Sequence, residues 1–105
     1  RVLFRSCQML VDAVSDKAKD NTPAFCTGDF NATPDAPEIA TTICQSGILK
    51  DAYREATIQH GALFTFPSKK TRIDFIFLKH ATVLSTRTIV SSLSDHYPMV
   101  IVVEI

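Results

Sequence analysis

The chain has 105 residues, enough for one domain or part of one. At 46% hydrophobic it can bury a core, which excludes a disordered composition. Lys plus Arg and Asp plus Glu number 11 each, so the formal net charge is zero; a dedicated nucleic-acid binder is usually basic, and neutrality lends no support to one or to an anionic membrane surface, although a nucleic-acid substrate stays open.

The first element in chain order is an amphipathic helix over residues 3–18, where Leu3, Cys7, Leu10, Val11, Val14 and Ala18 follow helical spacing. Asn21-Thr22-Pro23 ends it. An apolar strand leads through Ala24, Phe25, Cys26 and Thr27 into Gly28-Asp29, and Thr33-Pro34 stops it, because proline cannot donate to a ladder. Residues 35–46 predict a second helix: Thr33 or Asp35 can cap it, Pro34 and Pro37 sit in its first turn, Ile39 and Ile43 are four apart, and Gly47 follows its end. Residues 48–56 fit either a short helical turn or an irregular link. Residues 61–66 are short and apolar, and 67–70 read as a loop. Residues 72–78, RIDFIFL, form a strand by their β-branched and aromatic content. Residues 81–90 alternate weakly as one or two strands, 91–94 form a loop, and 97–105 close the chain with a β-prone run. The expected fold class is α/β, with two helices and roughly five strands.

Cys7, Cys26 and Cys44 lie far apart without paired spacing, which argues against zinc, and their odd count argues against a full disulfide framework. Reduced, buried thiols are expected, which favours a reducing compartment. The longest apolar run, residues 99–103, is far too short to span a bilayer. No signal peptide is visible, yet the chain opens on Arg1-Val2 instead of Met. The expectation is an N-terminus that is missing together with any targeting signal, so a periplasmic or secreted location also stays open.

Three polar intrusions interrupt the apolar strands. In GDFNATP (28–34), Asp29 and Asn31 project to one face if the strand continues, and Phe30 points to the core; the same residues also make ordinary Asx turns. Asp74 stands inside Ile73-Asp74-Phe75-Ile76-Phe77, where burial demands a partner unless the strand is a surface one with Asp74 solvated beside Arg72. Ser94-Asp95-His96-Tyr97-Pro98 places two ionisable residues at the mouth of the last strand. Ser94, Asp95 and His96 are consecutive, so they cannot line up as a catalytic triad. If the strands are neighbours, Asp29, Asn31, Asp74, Asp95 and His96 converge at one sheet rim. Carboxylates suit a hard cation such as Mg²⁺. A carboxylate-held imidazole suits a base or a phosphate-binding cation, and an amide can bond a developing charge. The combined chemistry is metal-assisted attack of water on a phosphate ester.

GDFN (28–31), RIDFIF (72–77) and SDHYP (94–98) resemble, in order and spacing, the three C-terminal signatures of the endonuclease/exonuclease/phosphatase superfamily, which includes DNase I-like nucleases, inositol-phosphate phosphatases and sphingomyelinases. The resemblance covers nearly the whole chain but only the C-terminal half of the family's domain. It implies half of a four-layer α/β sandwich, mostly antiparallel with flanking helices, to which this chain supplies one sheet and its helices. It implies a phosphoesterase dependent on Mg²⁺, with Mn²⁺ as an alternative. Asp29 resembles the aspartate that orients or deprotonates water, and Asn31 the asparagine that bonds the scissile phosphate. Asp74 resembles the holder of the catalytic imidazole, Asp95 a metal-ligating aspartate, and His96 the histidine on the phosphate. Implied partners are a phosphate-ester substrate (nucleic acid, phosphoinositide, sphingolipid or another phosphodiester) and the missing N-terminal half of the domain. The family's metal-binding Glu has no counterpart here, since Glu38 and Glu55 lie in the wrong context. Without the other half, an apolar sheet face stands open to homo-oligomerisation. The alternative function is a non-catalytic fragment or binding module that keeps the fold. His60 and His80 are expected at the surface, Lys69, Lys70 and Arg72 as a solvated basic patch, and Phe64, Phe66, Phe75 and Phe77 in the core.

Overall fold

The computed structural model describes residues 2–18 and 20–105; the expected apolar contribution of Leu3 lies outside the described side chains. Helix α1 spans Val2–Lys17 and buries Cys7, Val11 and Val14, with Ala18 just beyond. This is the expected apolar stripe, and Lys17 in the last turn faces the negative end of the helix dipole. Strand β1, Ala24–Asp29, follows the predicted stop at Pro23.

The second expected helix is a π-helical segment, Glu38–Ile43. The amide of Cys44 donates to the Ile39 carbonyl at 3.0 Å, a span of five residues. Neither Thr33 nor Asp35 caps it: the Thr33 hydroxyl bonds the Asp35 carboxylate at 2.6 Å, and the Ala36 amide turns back to the Thr33 carbonyl. Ile39 and Ile43 are nonetheless fully buried, together with Cys7, Val11, Leu49, Phe75 and Phe77. Burying each of these phenylalanines contributes about 1.5–3 kcal/mol.

The ambiguous stretch resolves into β2, Lys50–Asp51, and a one-turn helix α2, Ala52–Glu55. Then come β3 (Ile58–Gly61), β4 (Asp74–Lys79), β5 (Thr82–Thr88) and β6 (Met99–Glu104). The first sheet has the order β1-β4-β2, antiparallel throughout. The second has the order β3-β5-β6, with β3 parallel and β6 antiparallel to β5. The chain therefore gives three strands to each of two sheets, not one sheet as expected. The physical reason is the connection after β4. His80 adopts φ 62 and turns the chain within two residues, so β4 and β5, adjacent in sequence, belong to different sheets.

Strand β4 is sandwiched on both faces. Phe75 and Phe77 face the helices, while Leu78 joins Ala52 and Val83, with Ile76, Ile101 and Val103 packed around them. Arg72 corrects the expectation of a solvated basic patch, which holds only for Lys69 and Lys70. It is buried, donates two hydrogen bonds to the buried Asp51 carboxylate at 3.1 and 2.8 Å, and lies over the Tyr53 ring. The outer face of the second sheet is mixed: exposed Val100 and Val102 sit opposite Arg87 and Ser85. Among the described residues no helix is long and apolar enough to cross a membrane.

Candidate active site

The register of the first sheet builds the site. Asp29 ends β1 directly opposite Asp74, which begins β4. Two carboxylates are thereby set side by side at one rim, and like charges in that position repel unless something lies between them. His96 does. Its Nδ1 is 2.7 Å from Asp74 Oδ2, and its Nε2 is 3.7 Å from Asp29 Oδ2. An ionised carboxylate only accepts, so Nδ1 carries the proton toward Asp74, and Nε2 faces Asp29. The His96 pKa is raised, first by this hydrogen bond and then by the charges of Asp74, Asp29 and Asp95, against an opposing desolvation effect.

Asp29, Asp74 and His96 offer ligand atoms all within 4.8 Å of one another, a group that can hold a metal ion. Asp95 is outside that group. It is exposed, and its Oδ1 stands 3.4 Å from the Ser94 hydroxyl. The Ser94 hydroxyl also accepts from the His96 amide at 3.2 Å, so Ser94 shapes the turn and is not aligned as a nucleophile.

Asn31 is not placed beside Asp29 by strand alternation as expected. β1 stops at Asp29, and Asn31 takes φ 50, a conformation that asparagine tolerates. Its amide donates to Asp29 Oδ1 at 2.8 Å, so the Asx turn forms and fixes the Asp29 carboxylate. Asn31 then lines a neighbouring cavity with Thr33, Glu38, Phe66 and Lys69. Phe30 points into the core as expected, edge-on to Phe75 and Phe77.

Phe64 and Phe66 are not core residues. Both are half-buried: Phe64 stacks on Tyr97 at 6.0 Å, and Phe66 lies 4.9 Å from the His96 ring. They wall the site because the 63–71 loop folds over the segment that carries His96. Between them Thr65 is fully buried, and its hydroxyl accepts from the amides of Ile73 and Asp74 at 3.1 and 3.2 Å. Sequence reasoning missed Thr65, although it carries the signal that singled out Asp74: a polar side chain between two apolar ones. An open cavity of about 600 Å³ runs past Asp74 and His96, lined also by Thr27, Gly28, Ile76 and Met99. His60 and His80 are exposed, as expected. The three cysteines are free, and burial raises the pKa of each thiol.

Two packed three-stranded sheets with helices outside, and an Asp–His pair at the sheet rim, define a DNase I-like α/β fold. The chain belongs to the endonuclease/exonuclease/phosphatase family, whose profile matches residues 5–96. It is similar to the endonuclease/exonuclease/phosphatase from Bacteroides vulgatus, with 29% identity, TM-score 0.86, and coverage of 97% of this chain and 43% of that one. It is also similar in fold to the mannosyl-6-phosphatase of Bacteroides thetaiotaomicron, with 21% identity, TM-score 0.84, and coverage of 98% and 46%. A functionally unknown conserved protein from Enterococcus faecalis follows, with 22% identity, TM-score 0.74, and coverage of 97% and 44%. The chain thus spans less than half the length of these structures. The sequence matches no curated protein at a significant level.

Proposed function

We propose that this chain carries the C-terminal part of the active site of a divalent-cation-dependent phosphoesterase. The observation that carries the proposal is His96 held between two carboxylates, at 2.7 Å from Asp74 and 3.7 Å from Asp29. In this reading Asp74 fixes the tautomer and orientation of the imidazole, and Nε2 presents a proton to a phosphate oxygen. The carboxylates around His96 raise its pKa, which favours the protonated imidazole. Asp29, its Oδ1 held by the Asn31 amide, orients the attacking water and takes its proton through the other oxygen. Asn31 bonds the scissile phosphate.

Carboxylates around one imidazole would repel an anionic phosphate, so the donor set fits a hard cation: Mg²⁺, or Mn²⁺ as the alternative. Within the Asp29–Asp74–His96 group Asp29 has the exposed carboxylate, and Asp95, outside that group, is the further carboxylate proposed to hold the ion, whereas Asp74 Oδ2 is already engaged by His96. Such an ion supplies Lewis-acid polarisation of the phosphate and a lower pKa for bound water. The substrate is a phosphodiester or phosphomonoester, with nucleic acid, phosphoinositide and sphingolipid all within that class. The rest of a longer domain is the proposed partner of the exposed Phe25 and Ile58 surfaces, and a second copy of the chain is the competing occupant.

The test is hydrolysis of bis(p-nitrophenyl) phosphate and of p-nitrophenyl phosphate with Mg²⁺ or Mn²⁺. His96→Ala should lower the rate by between about 100-fold and 10,000-fold. Cation binding by calorimetry without any hydrolysis would favour the binding module instead. Equal rates for His96→Ala and the unmodified protein would overturn the proposal.

A further inference from the structure

We infer that Thr65 is a positioning residue that sets the Asp74–His96 hydrogen bond, an inference that rests on the phosphoesterase reading of the same site. Thr65 is fully buried. Its hydroxyl accepts from the Ile73 and Asp74 amides at 3.1 and 3.2 Å. Its carbonyl accepts from the Tyr97 amide at 2.7 Å, and its own amide donates to the Thr71 carbonyl at 3.1 Å.

Asp74 and His96 are 22 residues apart and come from different parts of the chain. Asp74 opens β4, but the loop that carries His96 belongs to no strand. Within the site, the ladder between β1 and β4 reaches Asp74 from one side only. Thr65 supplies the other side. One residue thus ties the backbone of the carboxylate and the backbone next to the imidazole to a common point. Phe66 adds a wall on the imidazole ring at 4.9 Å, which limits its tilt.

The hydroxyl is the necessary group. Valine has the same shape at this position but offers no acceptor, and it would leave the Ile73 and Asp74 amides facing an apolar surface. Those amides would then seek other partners, and Asp74 would move relative to His96. A displacement of about 1 Å at a reacting group can cost about 100-fold in rate. Serine keeps the acceptor and loses only a methyl group.

The experiment compares Thr65→Val and Thr65→Ser with the unmodified protein in two assays. The first is hydrolysis of bis(p-nitrophenyl) phosphate with Mg²⁺. The expected result is a fall in kcat of about 10- to 100-fold for Thr65→Val with little change in KM, and near-normal kcat for Thr65→Ser. The second is the low-field proton resonance of His96 Nδ1–H at fixed pH, which should shift or broaden in Thr65→Val and return in Thr65→Ser. Retention of both kcat and the resonance in Thr65→Val would overturn the inference, as would an equal loss in Thr65→Ser. If the unmodified protein does not hydrolyse phosphate, the phosphoesterase reading fails, and the resonance still tests the positioning. If Thr65→Val does not fold, amide exchange in the unmodified protein decides. The Ile73, Asp74 and Tyr97 amides should exchange as slowly as those of β4, and exchange at the rate of exposed loops would overturn the inference.

Discussion

Replacing Asp51 by alanine should be among the most damaging single changes outside the aromatic core. Asp51 is 3% exposed and Arg72 8%. The two guanidinium nitrogens reach the two carboxylate oxygens at 3.1 and 2.8 Å, and the guanidinium lies 4.4 Å from the Tyr53 ring centre and 5.0 Å from that of Phe75. The same carboxylate caps α2 by accepting from the Tyr53 amide at 3.1 Å. Removing one partner of a buried pair strands the other charge and costs about 3–5 kcal/mol. The lost cap is worth about 0.5–2 kcal/mol, but it overlaps with the first cost because one carboxylate serves both. The sum therefore stays near about 3–5 kcal/mol, a large share of a domain's total stability of about 5–15 kcal/mol. At about 4 °C or more per kcal/mol, the melting midpoint should fall by at least about 12 °C. Urea unfolding reads the free energy, and Asp51→Ala combined with Arg72→Met should recover part of it, because the stranded charge is then gone. A cost for Asp51→Ala below about 1 kcal/mol would refute the reasoning, since that is the worth of a solvated surface pair.

Two further outcomes follow from the same geometry. The His96 pKa lies above the ordinary imidazole value of 6.5, chiefly through the hydrogen bond that its Nδ1–H donates to Asp74. His96 therefore contributes stability that is present below the unfolded value and lost as pH rises through the folded one. Asp74→Asn should move that loss to lower pH in a melting-midpoint-against-pH series, and an unmoved profile would count against the pair. Gly61 sits at φ 85, and a Cβ there would collide with the Thr88 carbonyl, which the Ala62 amide already holds at 3.1 Å. Gly61→Ala should cost more than the roughly 1–2 kcal/mol of the left-handed conformation alone, and an unchanged thermal midpoint would refute the close approach of β3 and β5.

The elements with strong periodicity were legible in the sequence. Residues 3–18 and 72–78 follow one period each over enough positions to override local exceptions, and both form the expected element. Residues 35–46 differ, forming a π-helical segment at 38–43. The pair Ile39/Ile43 fits α and π spacing equally at one turn, so the periodicity finds the buried face without finding the hydrogen-bond pattern. The site residues were legible because a charge inside an apolar strand is costly, and that cost points to a partner. The partner's identity was less legible. Arg72 precedes Asp74 by two residues and reads as its neighbour, yet its guanidinium reaches Asp51, 21 residues back on the strand that pairs with β4. No local pattern carries that information.

Asn31 and Thr65 show why a motif's residues need not share one mechanism of placement. Asp29 and Asp74 are placed by strand register, which is a long-range property fixed by the β1–β4 ladder. Asn31 is placed by a local Asx turn, and His96 by a loop tied back through the Tyr97–Thr65 bond. The ladder holds Asp74 from one side, and the Thr65 hydroxyl completes its placement from the other. Asn31 and His96 lie outside the strands and are held by a few hydrogen bonds, each worth about 0.5–1.5 kcal/mol net. The rim is therefore stiff along β1 and β4 and adjustable at Asn31 and His96. Those are the two residues proposed to meet the phosphate, and an adjustable contact there suits a group whose charge and shape change during hydrolysis. Asp29 and Asp74 stand on strand ends, where the ladder, with Thr65 beside Asp74, limits their movement.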